Sequence, residues 1–177
     1  MRSIRPGIPS KAAIPCAATS GLIPNPYTAA DKAAKQFEGE NNHEMLAAVA
    51  DVYAKEGHVD YEAFFKSKIK NSTAFNRYSL LYYYANFLTR MDKKTVLSGI
   101  AEIEPYAMDT SSHFTSGAAK GALKRIQKSF EEKRKAAQSD LANAQGQTEK
   151  IEIQERISQY DEIVGTVSDV LEKLKKK

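Results

Sequence analysis

The sequence predicts an all-α protein, made of antiparallel helix pairs stacked in a HEAT-like array and ending in a long helical hairpin. Three observations carry this. Five of the six prolines (Pro6, Pro9, Pro15, Pro24 and Pro26) lie within the first 27 residues, so that from Thr28 onward only Pro105 opposes helix. Beyond that point apolar residues recur at the three- and four-residue spacing of a single helical face. Finally, Ile153, Ile157, Tyr160, Val164, Val167, Leu171 and Leu174 follow one another in alternating steps of 4 and 3, the heptad pattern of a helix that packs along its length on another.

Residues 1–27 carry Arg2 and Arg5 but no acidic residue, since the first is Asp31. Repeated proline removes amide donors and blocks helix, so the stretch reads as a disordered leader or an interdomain linker, native or added by cloning. It lacks the apolar run of a signal peptide, and Pro15 directly before Cys16 argues against lipoprotein cleavage. Residues 28–177 are then one helical-repeat domain.

Within it, Thr28 caps a first helix that ends near Gly39, and Asn42 caps a second that Gly57 ends. The second turns Leu46, Val49, Ala50 and Tyr53 inward. Asp60 caps a third helix with the stripe Tyr61, Phe64, Phe65 and Ile69. Ser72 or Thr73 opens a fourth, "AFNRYSLLYYYANFLTRM", and Asp92 a fifth with Val96, Leu97, Ile100 and Ile103 facing in, which Pro105 should kink or end. A sixth runs from about 113 to 145 and breaks at Gly146, and the last from about 148 to 175. Helices joined by a short turn pack antiparallel, so the heptad seam should meet Leu123, Ile126, Phe130, Ala137 and Leu141. The alternative is a coiled coil with another protein. A weak repeat of period 35 aligns "MLAAVADVY" (45–53) with "LLYYYANFL" (80–88), which suits stacked helix pairs, although the tetratricopeptide signature is missing.

Charged residues make up 27% and the hydrophobic set 42%, ordinary for a folded chain, and no run reaches the ~18 apolar residues of a membrane-spanning helix. Cys16 is the sole cysteine, which excludes an intrachain disulfide and a thiolate metal cluster. A net charge of +4 favours weak attraction to anionic surfaces without pointing to nucleic acid. None of this specifies a compartment.

His43 and Glu44 open like the zinc-peptidase pattern H-E-x-x-H, but the fifth position is Ala47. Zinc catalysis needs two histidines one helical turn apart plus a third ligand. The other histidines, His58 and His113, lie far along the chain, and Glu44 merely suits the first turn of its helix. Cys16 has no scaffold to hold a base beside it, and "SGAAKG" (116–121) lacks the phosphate-binding pattern, its small residues instead permitting close helix approach. No catalytic, cofactor-binding or metal-binding residue is therefore assigned.

Two clusters bear on partners. Residues 61–87 hold nine of the sixteen Phe and Tyr, and three consecutive tyrosines cannot all face one core. At least one of Tyr82, Tyr83 and Tyr84 should point to a partner, a neighbouring helix or solvent. The basic run Lys120, Lys124, Arg125, Lys128, Lys133, Arg134 and Lys135 places Lys120, Lys124 and Lys128 on one face at four-residue spacing. Glu131 and Glu132 interrupt it, and its one aromatic, Phe130, belongs to the seam, which favours a solvated helix face over a nucleic-acid surface. The candidate interface residues are Tyr82, Tyr83, Tyr84, Lys120, Lys124 and Lys128.

The stretches "VADVYAKEGHVDYEAFFKSKI", "NRYSLLYYYANFLTRMDKKTVLSGIAEIEPYAM" and "HFTSGAAKGALKRIQ", followed by the final amphipathic helix, resemble the C-terminal helical region of bacterial aminopeptidase N-type zinc metallopeptidases. The resemblance implies an all-helical, HEAT-like arch, non-catalytic by itself, that packs on a catalytic domain and helps to enclose its chamber. Zinc would belong to that missing domain. The family's H-E-x-x-H and G-x-M-E-N motifs are absent, so none of its functional residues carries over. Two further readings stand beside this one: a free-standing helical-repeat interaction module and, more weakly, a nucleic-acid-binding helical protein.

Overall fold

The structure is a computed structural model that describes residues 61–176. The leader at 1–27, the helices at 28–39 and 42–57, the 45–53 copy of the repeat, Cys16, His58 and the His43–Glu44 pair lie outside the described residues. The described chain is all-α: α1 (Tyr61–Asn71), α2 (Ala74–Leu88), α3 (Lys93–Met108), α4 (His113–Asn143) and α5 (Gln147–Lys175).

Three of the helix starts have a local chemical cause, whereas α5 opens at Gly146 with no side-chain cap. Of the two residues expected to open α2, Thr73 is the N-cap, its hydroxyl accepting from the Asn76 amide at 3.4 Å. Asp92 caps α3 through the Thr95 amide at 3.0 Å, and that bond holds its carboxyl below the usual carboxylate range. Ser112 caps α4 through the Thr115 amide at 3.2 Å. Helix ends leave carbonyls unbonded, and here cations from elsewhere serve them. Arg77 donates to the carbonyls of Ile69 (3.0 Å) and Ser72 (2.7 Å) at the end of α1. Lys133 of α4 donates to the carbonyl of Thr89 at the end of α2.

Pro105 does not end α3, which continues to Met108. The proline lies in the last turn on the exposed side, so the amide it lacks would have paired only with the carbonyl of Ala101, itself on a solvent-facing residue. Leu97 is half-buried at the margin of the core, and Val96, Ile100 and Ile103 lie fully inside it.

Successive helices alternate in direction. Phe65 of α1 stacks on Tyr84 of α2 at 5.2 Å and meets Phe87 at 5.5 Å. The side chain of Ser116 in α4 donates to the carbonyl of Ala107 at the end of α3, 2.8 Å away. In the final hairpin Gln127 bonds Ser168 (3.0 Å) and Arg134 pairs with Asp161 (2.9 Å), an antiparallel register. The seam therefore closes within the chain, on Leu123, Ile126, Phe130 and Ala137 of α4. Its buried stripe is wider than a two-helix seam. Ile163 and Val170 join it, whereas Tyr160, Leu171 and Leu174 lie at its edges, because α5 also packs against α3. Lys93–Glu162 (2.7 Å) and Lys173–Glu104 (3.3 Å) mark that second contact.

α4 is the shared wall, packing against α2, α3 and α5. Its buried Ala118, Ala119 and Ala122 let neighbours approach closely, while Leu123, Ile126 and Phe130 fill the centre. Burying each large side chain of this kind contributes roughly 1.5–3 kcal/mol. Farther along, among the described residues only α4 and α5 continue, joined by a smaller cluster of Ala137, Ala144, Ile153 and Ile157.

Candidate interaction surface

The three tyrosines separate as their spacing requires. Tyr84 is fully buried between Phe65 and Phe87. Burial first, then the carboxylates of Glu62 and Glu102, raises its phenol far above the usual range, so it stays neutral. Tyr84 is a core residue, and as an interface candidate it is corrected. Tyr83 is half-buried against the core and meets Tyr82 edge-on at 5.4 Å. Tyr82 is the presented one, with 42% of its surface exposed.

Tyr82 is held in place. The guanidinium of Arg125 lies 4.2 Å from its ring centroid, and Arg125 Nε donates to Asn86 Oδ1 one turn along α2. Cation–π contact and hydrogen bond together fix both side chains in one arrangement. Beside the pair runs a shallow cleft of about 150 Å³ between α2 and α4, lined by Tyr78, Tyr82, Gly117, Gly121, Ala122 and Arg125. Tyr78 is half exposed and its ring lies 5.3 Å from that of Phe114. A Cβ added at Gly117 or Gly121 would meet nothing within 4 Å, so the floor of the cleft is open to an approaching surface.

The basic run does not act as one face. Lys120 and Lys124 line a groove of about 630 Å³ between α4 and the end of α5. Lys128 sits on the other flank of α4 with Arg125, beside Asn86 and Thr89, and pairs weakly with Glu132 at 4.0 Å in the open. Lys133 is half-buried, its ammonium 4.7 Å from the Phe130 ring; desolvation, then Arg90, lowers its pKa. Arg134 is taken by Asp161. The four-residue spacing of Lys120, Lys124 and Lys128 is real, but α4 has a helix on either side, and the row fans out over the ridge between two clefts.

Arg125 as the partner of Tyr82 is the feature the sequence reading missed. The two are 43 positions apart, and no local pattern joins them. Among the described residues no three His, Cys, Asp or Glu gather as a metal site, and no helix is long and apolar enough to cross a membrane. No family model matches the chain, and neither a curated protein nor a solved structure matches it at a significant level.

Proposed function

We propose that the chain is a non-catalytic docking domain, a HEAT-like row of antiparallel helix pairs that sets its α2–α4 edge against a protein partner. In the reading the aminopeptidase resemblance supports, that partner is the catalytic domain of a zinc aminopeptidase-like protein, which the helical domain supports or gates. As a free-standing module, the same edge would engage a separate protein. The observation that carries the docking role is the fixed Tyr82–Arg125–Asn86 arrangement beside an open cleft. Tyrosine and arginine dominate interface energetics, and a pair already ordered in the free protein loses little entropy on binding. The alternating helix directions support the repeat arrangement. The scattering of the basic run over several separate environments disfavours the nucleic-acid reading.

A photo-crosslinking residue placed at position 82, in cells that make the protein, should yield one discrete protein adduct that Arg125→Glu abolishes. The same residue at position 152, on an exposed part of α5, should yield none. No adduct at 82, or equal adducts at both positions, would refute the docking role. Sequencing the adduct tests the partner's identity: a domain with H-E-x-x-H supports the aminopeptidase reading, and any other protein supports the free-standing module.

A further inference from the structure

We propose that the groove between α4 and the C-terminal end of α5 is a second, separate docking site, and that it takes an acidic amphipathic segment of a partner protein. Lys120 and Lys124 stand on its α4 side and Lys175 on its α5 side, above the half-buried Leu171 and Leu174. With about 630 Å³ the groove has room for several side chains of an inserted segment. None of the three lysines makes an ion pair among the described residues, whereas Lys66, Lys93, Lys128 and Lys173 all do. Gln127 and Ser168 bond each other at 3.0 Å across the helix pair beneath, so the floor is already built.

The occupant follows from the lining. Cations on both rims call for carboxylates on both edges of the ligand, and the two leucines call for aliphatic side chains between them. Glu172 also lines the groove and would repel an unbroken polyanion such as a nucleic-acid backbone. A planar anionic membrane would meet the lysines but leave the recessed leucines uncovered. A helix or strand with spaced acids and aliphatic anchors can meet the lysines and the leucines while its gaps between acids leave Glu172 unopposed.

The test probes the full-length protein with an array of short peptides of randomised sequence. Retained peptides should be enriched in Asp and Glu spaced three or four residues apart among Leu, Ile, Val or Met. The double variant Lys120→Glu/Lys124→Glu should bind the best of them at least about tenfold more weakly, with unchanged circular dichroism and melting. Rising salt should weaken the wild-type interaction. Tyr82→Ala should leave it unchanged, which separates this groove from the α2–α4 edge. Three results would overturn the proposal: no acidic enrichment, enrichment that survives the double charge reversal in a folded variant, or tighter binding to phosphatidylserine vesicles or single-stranded RNA than to any peptide.

Discussion

A methyl group added at Gly99 would lie 2.4 Å from Leu88 Cδ1 and 2.5 Å from Leu88 Cδ2, and Leu88 is fully buried with little room to retreat. Glycine in a helix interior is less favourable than alanine by about 1 kcal/mol, so its presence at 99 reflects the close crossing of α2 and α3. Gly117 and Gly121 carry the same helical penalty with nothing near their Cβ positions. Gly99→Ala should therefore destabilise, since overpacking of about 1–3 kcal/mol exceeds the propensity gain. Gly117→Ala and Gly121→Ala should each stabilise by about 0.5–1 kcal/mol. Urea denaturation of the three variants measures this, and a stabilised Gly99→Ala would show that Leu88 moves freely.

At the level of the element, α5 owes its place to two neighbours rather than one. Val167 is fully buried where α5 packs on α4 and α3, while Ile157 lies in the smaller cluster that, among the described residues, the hairpin alone supplies. An unpaired carboxylate buried at 167 costs several kcal/mol, comparable with the ~5–15 kcal/mol net stability of a typical domain. Val167→Asp should abolish the cooperative helical melt followed by circular dichroism. Ile157→Asp should melt the hairpin end and leave most of the helical signal. Light scattering adds the decisive contrast: a stable, fully helical Val167→Asp monomer arising from a wild-type dimer would mean that the seam is shared between chains.

Across the whole molecule, stability is distributed unevenly. Three helices pack around the centre of α4, but beyond Ala137 each helix of the hairpin has, among the described residues, only the other for support. Few buried contacts mean a small free energy of local opening. Hydrogen exchange should accordingly be faster by orders of magnitude in residues 141–157 than in 80–88 and 122–130, with mass spectrometry as the readout. Uniform protection would contradict this division into a body and a less stable hairpin end. The proposed contact faces both lie on the body side of that division, where side chains such as Tyr82 and Arg125 are held by a stable scaffold.

The sequence by itself determined the helical class, the cap at Asp92, the choice of Ser72 or Thr73 at the start of α2, the break at Gly146 and the hairpin seam. Each of these depends on residues within a few positions of one another: a cap reaches three residues on, and periodicity repeats within two turns. It also required Tyr82, Tyr83 and Tyr84 to diverge, because successive residues on a helix are about 100° apart. Which tyrosine faces outward was decided only by the tertiary structure, through Phe65 claiming Tyr84 and Arg125 claiming Tyr82. The same holds for the basic run, which separates into a groove, a cleft edge, a helix cap and an ion pair according to which helix flanks α4 on each side. Contacts such as Arg125 to Asn86 span 39 positions, and their pairing depends on how whole helices cross, which no local pattern encodes.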